Sequence, residues 1–261
     1  MATRTSAAEM LSYDDLYSRW EQGNWKTSEF DFSQDREDWH EKFSDLERRA
    51  ALWNYAMFFH GEDSVATNLT PYIDAAPREE QKYFLTTQQV DEARHAVFFA
   101  RFMSDVVDTG DSIAASLATT QPELSWGFKK VFARLDRMAD ELRSDRSRPK
   151  LAAAVTLYHL IVEASLAQPG QHFIEDYLGE RGVLPAFYEG MQNISRDDGV
   201  SDGAMMARLR VATLSSRRCT PITCSTCRMR SRKTAASSKR KSSARASRRA
   251  VNSVSRDVSR P

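Results

Sequence analysis

Gln89-Val90-Asp91-Glu92-Ala93-Arg94-His95 lies in the middle of a strongly helical stretch. Glu92 and His95 are three residues apart, so on a helix both project from one face, one above the other. A carboxylate and an imidazole at that spacing form the half-site of a carboxylate-bridged dinuclear metal centre inside a four-helix bundle. The other half has to come from elsewhere in the chain.

Two acids are placed to supply it. Glu62 follows Phe58 and Phe59 and precedes Val65, Ala66 and Leu69, and Glu163 sits within Leu157-Tyr-His-Leu-Ile-Val-Glu-Ala-Ser-Leu. An acid in such surroundings carries a large desolvation cost unless it is paired or coordinates a metal. Each also has a plainer reading: Glu62 facing solvent, and Glu163 paired in the core with an Arg or with His159. A bundle metal site takes one Glu from each of two helices and a Glu-x-x-His from each of the other two. Glu62, Glu92 with His95, and Glu163 fill four of those six places.

The chain of 261 residues divides by composition. Residues 1–207 carry 21 Lys/Arg against 35 Asp/Glu, a net of −14, whereas residues 208–261 carry 16 Lys/Arg and the single acid Asp257, a net of +15. All aromatic residues lie between Tyr13 and Tyr188, and all three cysteines, Cys219, Cys224 and Cys227, lie in the basic segment. Three thiols with no histidine after them fall one ligand short of a zinc site. A cysteine-free body fits a reducing, cytoplasmic setting. No run approaches the roughly 18 apolar residues of a membrane span, and the N-terminus lacks the apolar core of a secretory signal.

Hydrophobic spacing predicts an all-α body with no strands. Residues 1–45 form a polar arm marked by Trp20, Trp25 and Trp39, and residues 46–200 form the metal-binding bundle. Ser44 and Glu47 read as a capping box opening the first bundle helix, which Pro77 ends. A second helix from Arg78 to about Val107 carries the half-site, Glu123 to about Arg143 is helical, and Pro149 opens the most apolar helix. A kink or break is expected there at Pro169-Gly170. Another helix begins at Phe187.

From about Trp39 to Asp198 the chain resembles the ribonucleotide reductase small-subunit superfamily. The resemblance is carried by Gly61-Glu62-Asp63-Ser64-Val65, Asp91-Glu92-Ala93-Arg94-His95, Tyr158-His-Leu-Ile-Val-Glu163 and Ser195-Arg196-Asp197-Asp198. It implies a ferritin-like four-helix bundle, a homodimer, and a dinuclear Mn/Fe or Fe/Fe centre held by Glu62, Glu92, His95, Glu163 and Asp198. In the tyrosyl-radical reductases the first ligand is Asp and a Tyr follows the first ligand His by four residues; here Glu62 and Phe99 stand at those places. The chain is more similar to the reductase-like ligand-binding oxidases, which bind a long-chain fatty acid and form a Tyr–Val ether crosslink. Tyr158 and Val65 stand at the matching offsets from Glu163 and Glu62.

The second Glu-x-x-His departs from the family. Asp198 takes the place of its Glu, and Ser201 stands where its His belongs. A hydroxyl is a poor substitute for imidazole. The bundle then reads as incomplete at its C-terminal end, with residues 201–261 a basic low-complexity tail whose composition predicts disorder. Three origins stand open: a natural tail that binds acidic surfaces, an inert tail, or a frameshifted translation, which the abrupt reversal of charge and loss of aromatics favour.

The implied function is an O2-activating dinuclear-metal oxidoreductase of the ligand-binding oxidase type, impaired if the second position stays underfilled. The first alternative is a ribonucleoside-diphosphate reductase small subunit, which would need a large subunit and a relay Tyr in its tail; no Tyr follows Tyr188. The second is an inactive bundle that binds a lipid, another small molecule or a partner. Nucleic-acid binding by the tail ranks last, since no aromatic reader accompanies the charge.

Overall fold

The computed structural model describes residues 11–199, and over that range the chain is helical with no strand. The basic tail and Ser201 lie outside the described residues. The arm contains α1 (Tyr13–Gly23), a 3-10 turn at Thr27–Glu29 and α2 (Ser33–Glu41). The body follows with α3 (Asp45–Asn68), α4 (Thr70–Ala75), α5 (Glu79–Asp105), α6 (Ile113–Thr120), α7 (Trp126–Ser144), α8 (Arg148–Val155), a π-helical stretch (Thr156–Ala167) and α9 (Gln168–Arg181). Residues 185–199 form a last helix, α10.

Local chemistry accounts for most of the boundaries. At the start of α3, Ser44 Oγ accepts from Glu47 N while the Glu47 carboxylate accepts from Ser44 N at 2.8 Å, the expected capping box. The expected single helix from Ser44 to Pro77 is instead two, divided at Leu69, because Pro71 lacks an amide proton and starts a new turn as an early residue of α4. Pro149 opens α8 as expected. The reading of Pro169-Gly170 as a break needs correction. Helical winding is continuous from Arg148 to Arg181, and the turns before Pro169 are wide, with Gln168 N donating to Glu163 O five residues back. By length and mean hydropathy alone this 34-residue helix could cross a membrane. Its buried Tyr158, His159, Glu163, Gln171 and Ile174 make it a core helix of the bundle.

The arm is structural. The Asp35 carboxylate accepts from the backbone N–H groups of Ala186 and Phe187 at 3.1 and 2.8 Å, and Asp38 accepts from Leu184 N at 2.9 Å. Two buried acids from α2 thus satisfy the exposed donors at the start of α10, where the helix dipole favours negative charge.

The apolar core falls into two clusters. One gathers Phe59, Phe98, Phe99, Phe102, Phe187 and Met191 among others, and the second gathers Val65, Leu69, Leu85, Leu142, Tyr158 and Val162. α3 passes from the first cluster to the second between Phe59 and Val65, and α5 does so between Phe98 and Leu85. The long helix crosses back between Val162 and Ile174. The acids Glu62, Glu92 and Glu163 sit at those crossings, so the bundle brings them together at the seam.

Candidate metal centre

Glu62 on α3 and Glu92 and His95 on α5 are all buried, and a ligand atom from each lies within 4.8 Å of the other two. His95 Nδ1 is 3.2 Å from Glu62 Oε2 and 4.0 Å from Asp198 Oδ1. The Tyr158 hydroxyl donates to Glu92 Oε1 at 2.5 Å. Glu163 and Asp198 are buried too, and their charges, with that of Glu62, act on Glu92. The five acid and imidazole positions expected from sequence therefore converge. Val65 and Tyr158 share the second apolar cluster beside them.

Carboxylate charge dominates the surroundings of Glu92 and His95. Burial, and then the neighbouring Glu62 and Glu163 carboxylates, push the Glu92 carboxyl well above its ordinary range. Burial alone would pull the His95 imidazole down, but the Glu62 carboxylate, aided by Asp197 and Asp198, overrides it and holds the ring well above its usual value. Among the described residues neither Glu62 nor Glu92 has a lysine or arginine partner. Buried like charges of this kind are relieved by protons or by metal ions. Carboxylates with one imidazole form a hard oxygen-and-nitrogen donor set that suits iron or manganese.

Behind the first set of residues lies another that the sequence did not single out as functional. His95 Nε2 is 3.3 Å from Asp197 Oδ2, and the same oxygen accepts from Trp25 Nε1 at 2.8 Å and from Arg94 at 3.1 Å. These hydrogen bonds outweigh burial and hold the Asp197 carboxyl below its ordinary value. The Trp25 ring lies parallel to the imidazole at 10°, 6.1 Å away. With its pKa raised, the imidazole carries a proton on each nitrogen, Nε2–H toward Asp197 and Nδ1–H toward Glu62; Asp197 holds the Nε2 proton, so a metal ion that displaced the Nδ1 proton would meet a nitrogen already turned toward Glu62. Asp91 accepts from Trp20 Nε1 at 2.8 Å and pairs with Arg94. Burial, reinforced by Asp197, pushes Asp91 up to about 6. On the Asp198 side, Gln171 Nε2 donates to Asp198 Oδ2 at 2.5 Å.

A cavity of about 380 Å³ opens onto Glu62, Glu92 and Glu163. Its walls are mostly apolar, with Phe58, Val65, Val131, Phe132, Val162 and Leu166 among them.

The family model for the ribonucleotide reductase small chain matches residues 9–210. The chain belongs to that family. Within it, the structure is similar to the R2-like ligand-binding oxidase from Sulfolobus acidocaldarius, at 27% identity and a TM-score of 0.69, covering 78% of this chain and 76% of that one. It is also similar to an R2-like ligand-binding oxidase with an aerobically reconstituted Mn/Fe cofactor, at 25% identity and a TM-score of 0.68, covering 76% and 68% of the two chains. The ferritin-like reading of the fold and the resemblance to the oxidase branch both hold. In this small-chain family member the sequence expectation misses the grouping of Trp25, Arg94 and Asp197, which depends on chain segments more than 100 residues apart.

Proposed function

We propose that the chain is a dinuclear-metal oxidoreductase that activates O2, of the ligand-binding oxidase type, with Mn/Fe or two iron ions. The observation that carries this is the buried Glu62–Glu92–His95 cluster, whose two carboxylates line a mostly apolar cavity. Glu62, Glu92, His95 and Glu163, with Asp198 on the far side, would hold the metals. Bound there, a reduced pair would supply the activation of dioxygen that side chains cannot perform alone.

The protein supplies position, an apolar lining and proton control. Asp197 keeps a proton on His95 Nε2, and the cavity gives the carboxylates mostly apolar walls. Burial, followed by the charges of Glu92 and Glu163, holds the Tyr158 hydroxyl well above its usual pKa, so it stays protonated against Glu92. An ether bond from Tyr158 to Val65 would form by loss of the phenolic hydrogen and one Val65 C–H hydrogen, a two-electron oxidation with dioxygen as acceptor. Glu92 Oε1 is placed to take the phenolic proton. The apolar cavity ending on carboxylate-held metals fits a long-chain fatty acid.

Phe99, fully buried at the place of the radical tyrosine, has no phenolic proton to lose and favours the oxidase over a tyrosyl-radical reductase. A cytoplasmic homodimer completes the reading and is checked by sedimentation.

The deciding experiment is mass spectrometry of the full chain after aerobic loading with manganese and iron. A linked Val65–Tyr158 peptide pair, lighter by two hydrogen atoms, is expected. Two bound metals with both peptides unlinked would count against the oxidase. An absence of bound metal would favour an inactive ligand-binding bundle, the reading to which the shortened Asp198 and the loss of imidazole at Ser201 point.

A further inference from the structure

The Asp198 side of the centre has no imidazole supplied by its own helix. The five histidines of the chain are His40, His60, His95, His159 and His172, so none follows Asp198. One polar group that the fold sets against Asp198 is the primary amide of Gln171. Gln171 is 2% exposed, its Nε2 lies 2.5 Å from Asp198 Oδ2, and its Oε1 lies 3.5 Å from Ser195 Oγ. The other Asp198 oxygen faces His95 Nδ1 at 4.0 Å. Asp198 thus stands between an imidazole on one side and an amide on the other.

We propose that the Gln171 amide oxygen is the neutral side-chain donor of the second metal position, in place of the missing imidazole. The inference rests on the dinuclear reading above and assigns it a ligand.

The hydrogen bonds around Gln171 permit two states. A half-turn of the amide exchanges Nε2 and Oε1 without changing its shape. In the state described, Nε2 donates to Asp198. In the turned state Oε1 faces the carboxylates and Nε2 faces Ser195 Oγ. That hydroxyl donates its own proton to Glu175 Oε1, so its lone pairs are available to accept. Without a cation the turned state sets one acceptor against another. With a cation between Oε1 and Asp198 the contact becomes favourable, so the cation selects the turned state. Glu163, Asp198 and Gln171 then present oxygen only, whereas the position beside His95 includes nitrogen. Oxygen donors suit Mn(II) and Mg(II), so the second position favours iron less than the first.

The test is anaerobic titration of the metal-free full chain with Mn(II), following loss of the free-ion EPR signal. Wild type is expected to bind two Mn(II) with unequal affinity. Gln171→Leu should weaken the looser site by about tenfold or more and leave the tighter one intact. Gln171→Glu separates ligation from mere positioning: a carboxylate can ligate, but it cannot donate a hydrogen bond to Asp198. Retention or tightening of the looser site in Gln171→Glu supports the proposal. Its loss in both variants, or its survival in Gln171→Leu, overturns it. A single Mn(II) in wild type, abolished by Glu92→Gln and indifferent to Gln171→Leu, leaves metal binding standing and overturns the Gln171 assignment. No bound Mn(II) in wild type overturns both readings. Circular dichroism melts check folding, and if Gln171→Leu does not fold, Gln171→Glu against wild type decides.

Discussion

Gly190→Ala sets two effects of opposite sign against each other. Position 190 lies inside α10, where replacing glycine by alanine in open surroundings should stabilise a helix by about 1 kcal/mol. Here an added Cβ would lie 2.8 Å from Phe98 Cε1 and closer still to Cζ and Cε2. Phe98 cannot swing away. It is fully buried, with Phe30 5.1 Å, Phe32 5.7 Å, Trp25 5.9 Å, Phe99 5.9 Å and Phe187 5.7 Å from its ring centroid. Overpacking of such a core costs about 1–3 kcal/mol, and the depth of the overlap places this site at the upper end. The net expectation is a loss of about 2 kcal/mol, or a fall in Tm of about 4–8 °C for a domain of this size.

The displacement has a functional direction as well. Asp197 is seven residues beyond Gly190, two helical turns along the same face. Pushing α10 outward should pull Asp197 from Trp25 Nε1 and change the tryptophan emission. Urea titration followed by fluorescence measures both effects. Phe98→Leu in the same chain makes room for the methyl, so the double variant should lose less than the sum of the two singles by about 1 kcal/mol. If Gly190→Ala melts at or above wild type, helix propensity has won and the close approach of α10 to Phe98 is wrong.

Two further outcomes follow from the hydrogen bonds. The Glu47 carboxyl is held at about 2 by the Ser44 hydroxyl and amide and by Arg181, below its ordinary 4.5. A depressed acid stabilises the fold above its unfolded pKa and loses that contribution as pH falls through the folded one. Wild type should therefore out-melt Glu47→Gln at pH 5, and the gap should close between 4.5 and about 2; a constant gap would refute the assignment. Asp197→Asn leaves the side-chain shape but removes the charge that orients His95 Nε2, and should weaken metal binding by about 10- to 100-fold in a chelator competition; it should also lower the melting temperature of the metal-free chain, because the buried Arg94 guanidinium loses one of its carboxylate partners.

The parts of the centre that were legible in the sequence are those that local spacing encodes. Glu92 and His95 are one helical turn apart, and Glu62 and Glu163 are acids set within apolar helical runs, so a period of 3.6 residues and a desolvation argument find them. Trp25 marks the arm and Arg94 and Asp197 stand in the motifs that carry the resemblance, but nothing local shows that the three meet behind His95. Their shared hydrogen bonds join residues up to 172 apart in the chain, and no local pattern carries that information. Gln171 was hidden for a related reason, since a glutamine beside Pro169-Gly170 reads as a polar residue at a helix break. The π winding before it removes the break and turns Gln171 inward. Apolar periodicity over Thr156–Ala167 does not distinguish i→i+4 from i→i+5 hydrogen bonding, and the proline suggested the wrong remedy.

The placement of the acids at the seam between two apolar clusters has an energetic consequence that separates fold from function. Glu92 is buried at the edge of the cavity, and burial together with Glu62 and Glu163 raises its pKa well above 4.5. An acid raised on folding binds its proton more tightly in the folded chain, so its contribution to stability is full below the unfolded pKa and is lost as pH rises above it. In the metal-free chain Glu92 is therefore a growing burden from about pH 4.5 upward. Glu92→Gln removes that burden and keeps an oxygen for the Tyr158 hydroxyl. In chelator at neutral pH, Glu92→Gln should melt above wild type, and the advantage should shrink as pH is lowered toward 4.5. With Mn(II) present the order should reverse, because only wild type gains the stabilisation of a bound cation, about 2.7 kcal/mol at a hundredfold excess over Kd. A variant that melts below wild type in chelator as well would mean that the carboxylate is satisfied without a metal, and the seam would then be a structural ion cluster rather than a centre built to receive one.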